Sequence, residues 1–158
     1  MNKTITVITP VITNNNLLVA SKFIVKLTSG LFAGGNLYCT LVEHASRSEV
    51  ETKVAAEIFP RSFARGATLQ MALSSTAIIA SFYTYMQEKD QKWLTAGLIT
   101  LSILPYTYVV IMPIVEQLTD PNLDKENNHT AGLLNRWGAF HSVRTLLSLA
   151  SFVLVIIN

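Results

Sequence analysis

Four long apolar runs constrain this chain more than any other feature. They lie at about 17–42, 66–86, 93–115 and 137–157, and each is near the roughly 20 residues that cross the hydrocarbon core of a bilayer as a helix. Inside lipid every backbone N–H and C=O must be satisfied by the chain itself, so runs of this length fold as helices. Charged residues make up only 14% of the sequence, against about 25% in an ordinary soluble domain, and most stand between the runs. The expected fold is all-α: an integral membrane four-helix bundle. The Gln87–Lys92 link is short, which makes the second and third helices antiparallel neighbours. Continued around the bundle, this gives an up-down-up-down order, with a polar arm over 1–16 and the bundle over 17–158.

Several function classes drop out early. The formal net charge is +2 and the basic residues are scattered, so no nucleic-acid partner is expected. Cys39 is the only cysteine, which excludes an intrachain disulfide and a thiolate cluster. In an apolar helix a lone cysteine is ordinarily a small packing residue. His44, His129 and His141 are present, but none of the expected helices shows a His-x-x-x-His or Glu-x-x-His pattern, so neither a metal site nor another cofactor is expected. The arm carries Lys3 and the Asn14–Asn16 tract, without the basic start and short apolar core of a secretory signal. A multi-pass protein of the mitochondrial inner membrane or of an endomembrane is compatible with all of this.

The polar residues inside the runs carry the functional information. Trp137, His141 and Arg144 are spaced i, i+4 and i+7 and share one helix face, with Ser148 one turn further. Arg144 falls about two turns inside the fourth run, and an ionisable residue at such depth is a functional candidate by default. Its ordinary alternative is a structural ion pair, for which Glu43 or Glu116 is best placed. In an up-down-up-down bundle the first and third helices end on the face where the second and fourth begin. That face gathers Glu43, His44, Arg61, Arg65, Tyr106, Trp137, His141 and Arg144. Arg61 and Arg65 equally suit lipid headgroups. Gly30 and Gly34 form a small-xxx-small step, and helical counting puts Tyr38 and His44 on their side, with Glu43 pointing away. Gln70, Ser74 and Ser81 make a second polar stripe, suited to hydrogen bonds between helices. Pro60 is expected to close a partly helical link after the first run, and 116–136 reads as a turn-rich polar loop.

These residues resemble a family. Leu31-Phe-Ala-Gly-Gly-Asn-Leu-Tyr38-Cys-Thr-Leu-Val-Glu43-His44, Phe59-Pro60-Arg61, Arg65-Gly-Ala-Thr-Leu-Gln70 and Leu134-Asn-Arg-Trp137 through His141-Ser-Val-Arg144 are similar, in that order, to the small four-helix membrane proteins that include the fungal anthrone oxygenases. Ala45 stands where the family usually has proline after Glu-His, and Val115 replaces a frequent asparagine after the third helix. The resemblance implies a cofactor-free oxidation of an anthrone-like polycyclic phenol to a quinone by O2. In that chemistry His141 would be the base, Arg144 would hold the phenolate or enolate oxygen, Trp137 would stack on the flat ring system and His44 would relay a proton. Glu43, Tyr38, Arg61, Arg65 and Gln70 would bind substrate or lipid. The competing expectation is a non-catalytic subunit of a larger membrane complex, such as a respiratory assembly, with the stripe used for lipid or helix packing.

Overall fold

A computed structural model describes residues 14–157, so most of the polar arm over 1–16 lies outside the described residues. The chain is helical almost throughout, with no strand among the described residues. Helix α1 (Asn14–Tyr38) passes through a π-helical turn (Cys39–Glu43) into the short α2 (His44–Ser48). Helix α3 (Thr52–Glu88) follows, then α4 (Gln91–Tyr106), a second π-helical turn (Thr107–Ile111), α5 (Met112–Leu118) and α6 (Asn128–Ile156). Helices α1 and α4 each pack against both α3 and α6, so four antiparallel rods close a ring.

Three of these rods, Asn14–Ser48, Gln91–Leu118 and Asn128–Ile156, are long and apolar enough to cross a membrane. Helix α3 is not among them. Its stretch over 66–86 is long enough, but Gln70, Ser74, Ser75, Thr76, Ser81 and Thr84 dilute its hydropathy. Four spans were expected, and four rods are present; the second is the most polar of them, and its buried face includes Ser74, Ser81 and Thr84.

Two apolar cores fill the ends of the ring. At the end where α1 finishes and α6 begins, Phe59, Ile111, Leu118, Leu133 and Trp137 pack together. At the other end Val25, Ala80, Trp93, Ala96 and Val155 do so. Hydroxyl pairs tie the helices across the ring: Ser21 to Thr84 at 2.9 Å and Thr100 to Ser151 at 2.8 Å. In lipid, bonds of this kind are worth about 0.6–2 kcal/mol each. The turn between α3 and α4 is two residues long. Lys89 takes a left-handed conformation with φ 61°, and the Asp90 carboxylate caps α4 by accepting from the Lys92 N–H.

Several local expectations are corrected. Pro60 lies inside α3 and does not end it. A proline costs a helix one hydrogen bond, and here the helix continues because Phe59 and its neighbours are packed against α6. Helix α6 starts at Asn128, with the Asn127 side chain as its N-cap, so much of the supposed polar loop is helix. Only half of the Gly30–Gly34 step packs. A Cβ at Gly30 would lie 3.0 Å from the Phe152 ring, whereas Gly34 is exposed and a Cβ there would meet nothing within 4 Å. A second close approach is at Gly35, where a Cβ would overlap the Gln70 amide.

Candidate functional site

Helix α6 runs unbroken from its N-cap through Arg144, so its i, i+4, i+7 stripe survives intact. Trp137 and His141 are buried and stacked, ring centroids 4.9 Å apart and 27° from parallel. With Arg144 they form one wall of a cavity of about 200 Å³. The facing walls come from Tyr38, Cys39, Glu43 and Gln70, with Phe59 and Phe63 below. The π-helical turns both border it, through Cys39 and Glu43 from the first and Ile111 from the second. Such turns are rare and concentrate at functional sites.

The first π turn also explains a reversal. One extra residue in a helical turn rotates everything after it by about 100° relative to α-helical counting. Glu43, expected to point away, lines the cavity. His44, expected to point in, lies on the far side of the Trp137 indole at 5.7 Å and 61°. It fills the notch left by Gly138, where a Cβ would overlap its imidazole ring. Arg61 and Arg65 lie outside the cavity as well, in an open surface cleft with Glu57 and Lys125.

The Arg144–carboxylate pair is not formed. Glu116 is exposed, and Glu43 is 2.5 Å from the Arg47 guanidinium. No ion pair to Arg144 exists among the described residues. The Arg144 guanidinium instead lies over the Phe32 ring, 5.4 Å from its centroid, and its buried Nε–H has no partner. Arg47 Nη1 and Trp137 Nε1 are likewise buried donors without acceptors. The three residues that carry these unpaired N–H donors, two of them cationic, all line one small cavity. A buried donor left unmatched costs roughly 1–3 kcal/mol, and an acceptor-bearing ligand would relieve that cost.

Arg47 and Thr40 were missed by sequence reasoning. Arg47 is 8% exposed and sits over both the Phe59 and Trp137 rings, 5.2 and 5.4 Å from their centroids. It also donates to Ser62 at 3.0 Å. Its spacing from Glu43, i to i+4, was the available signal. Thr40 Oγ1 lies 3.1 Å from His141 Nδ1 and 2.7 Å from Thr145 Oγ1. Thr145 in turn reaches the carbonyls of Asn36 and His141, each at 3.2 Å. With Thr145 donating to a carbonyl, Thr40 donates to Thr145 and accepts from the His141 Nδ1–H. That tautomer leaves Nε2 unprotonated and free to take a proton from a ligand. The indole face expected to stack on a substrate is partly taken by His141, which leaves Trp137 as a wall and an N–H donor.

A family model described as Anthrone oxygenase matches residues 59–154. The chain belongs to the anthrone oxygenase family. A protein of Claviceps purpurea (strain 20.1) named Anthrone oxygenase is 23% identical over 146 residues, covering 83% of this chain and 84% of the relative. No solved structure matches. The anthrone oxygenase match contains Phe59, Gln70, Trp137, His141 and Arg144, whereas Tyr38, Thr40, Glu43 and Arg47 lie before it. Among the described residues no group of three His, Cys, Asp or Glu side chains is close enough to hold a metal ion.

Proposed function

We propose that this protein is a multi-pass membrane enzyme that oxidises an anthrone-like polycyclic phenol to the quinone with O2 and no cofactor. The observation that carries the proposal is the placement, on one wall of one small cavity, of an imidazole with a free Nε2 and an arginine with no carboxylate partner among the described residues. Family membership supports it. A helix-packing role for the stripe predicts the opposite, a filled interior and a saturated Arg144.

The chemistry follows from those two groups. His141 Nε2 takes a proton from the ring CH2 of the substrate, and Arg144 holds the oxygen of the resulting enolate. The electron-rich anion reduces O2 directly, and recombination forms a carbon–oxygen bond as a hydroperoxide. Loss of the second C–H proton breaks the O–O bond and leaves a carbonyl plus water. One oxygen atom enters the product, the other leaves as water, and the four electrons lost at carbon reduce O2 completely. Thr40 holds the imidazole, and Arg47 with Trp137 Nε1 supplies further donors to the reduced oxygen. Membrane lipid is the expected surrounding partner, and O2 dissolves readily there.

The test is oxygen uptake with an anthrone in lipid nanodiscs. His141→Ala and Arg144→Gln should each lower kcat by about 10²–10³-fold, with the variants still folded by circular dichroism. Full activity in either variant refutes the assignment of roles.

A further inference from the structure

The 200 Å³ cavity is too small for a polycyclic ligand, since sites for molecules of that size span about 300–1,000 Å³. A second compartment adjoins it. It measures about 650 Å³, is lined mainly by apolar side chains, and lies between α3 and the α4–α5 rod. Phe63, Ala67 and Arg144 line both spaces, so the Arg144 side chain stands at their boundary. On the far side the compartment opens past Met71, 57% exposed, and Tyr108, 77% exposed, at the outer surface of the bundle.

We infer that the two compartments form one bipartite site for a flat, lipophilic polycycle bearing oxygen on one edge, whose hydrocarbon body occupies the apolar compartment. The oxygen-bearing edge meets Arg144 and His141 in the small cavity. This deepens the proposed function and rests on reading the small cavity as a ligand site. Three observations converge on it. Arg144 joins the spaces and carries an unpaired Nε–H. The larger space offers a ligand mostly carbon, from Phe32, Phe63, Ile103 and Leu104. Thr107 Oγ1, in the second π turn, is a buried hydroxyl without a partner on the wall of that same space, suited to a second ligand oxygen. The mouth faces outward on the apolar side of the bundle, where lipid acyl chains would lie and where such a ligand is dissolved. A water-soluble substrate would have no use for that opening.

The experiment uses fluorescence, so that it does not depend on turnover. Trp93 is the second tryptophan and lies in the opposite core. Trp93→Phe therefore leaves Trp137 as sole reporter. The protein is placed in phosphatidylcholine nanodiscs and titrated with 1,8-dihydroxyanthraquinone, a tricyclic quencher that the proposed reaction does not consume. Saturable quenching is expected. Ser74→Phe and Met112→Phe, at positions that line the apolar compartment and not the small cavity, should each weaken it by about tenfold or more. Ile79→Phe, on an exposed position outside both spaces, should leave it unchanged. Quenching that is absent, or untouched by both filling variants, overturns the bipartite site. If an anthrone is still oxidised with unaltered KM in those variants, the oxygenase reading stands without it. If quenching is filling-sensitive but no anthrone is oxidised, the bipartite site stands and the oxygenase reading falls.

Discussion

Replacing Thr40 with valine removes one hydroxyl and keeps the shape of the side chain. That hydroxyl is the only hydrogen-bond partner of the His141 ring among the described residues, at 3.1 Å from Nδ1, and it also pairs with Thr145 at 2.7 Å. Thr145 keeps its carbonyl acceptors in the variant. The His141 Nδ1–H does not, and His141 is only 7% exposed. Leaving that donor unpaired should destabilise the protein by about 1–3 kcal/mol, read from denaturant unfolding in micelles. It should also release the tautomer. In the wild type, ¹⁵N imidazole NMR should show Nδ1 protonated and Nε2 bare, whereas Thr40→Val should show a mixture. Oxygen uptake should fall about tenfold to a hundredfold, and Thr40→Ser should restore both spectrum and rate. A wild-type His141 protonated on Nε2, or a Thr40→Val protein with unchanged spectrum and stability, would refute this positioning role.

Other consequences are simpler to check. Gly138→Ala puts a methyl into the His44 ring and should cost about 1–3 kcal/mol of stability as overpacking. Gly34→Ala meets nothing and should be neutral or stabilising by up to about 1 kcal/mol through helix propensity; paired unfolding curves decide both. At the opposite end of the bundle Glu88 accepts from Lys22 and from the Trp93 indole N–H. The Lys22 contact is the larger cause that holds the Glu88 carboxyl below its ordinary value. Asp90 is held low first by the Lys92 backbone N–H. Folded values below the unfolded ones mean stability present at neutral pH and lost as pH falls through them. Trp93 emission should therefore shift as pH falls through and below the ordinary carboxylate range, and Glu88→Gln should flatten that titration. An unchanged profile in Glu88→Gln would remove Glu88 from the account.

What was legible in the sequence follows from where the helices are regular. Trp137, His141 and Arg144 sit on one uninterrupted helix, so counting by 3.6 places them together, as the cavity wall does. Counting failed on α1 because the π turn at Cys39–Glu43 adds a residue that no local propensity announces. That one residue exchanged Glu43 for His44 at the cavity. Glycine spacing misled for a related reason: Gly34 and Gly35 are equivalent as small residues, and only the position of Gln70 on α3 distinguishes them. Pro60 and the stretch over 128–136 read as breaks because proline and polar residues disfavour isolated helices. Burial of Phe59, Leu133 and Leu134 in a shared core outweighs that preference. Arg47 offered only its i to i+4 spacing from Glu43 and Thr40 offered nothing, because their contacts with Phe59, Ser62, Trp137, His141 and Thr145 come from other helices.

The most direct measurement of the central claim is the fate of ¹⁸O₂ during oxidation of an anthrone by the purified protein in nanodiscs, with the His141→Ala protein as its pair. The account predicts one ¹⁸O atom in each quinone formed, one in water, no added cofactor, and a rate that collapses when His141 is removed. A protein that consumes no O2 with the anthrone, or that works equally well without His141, would contradict it.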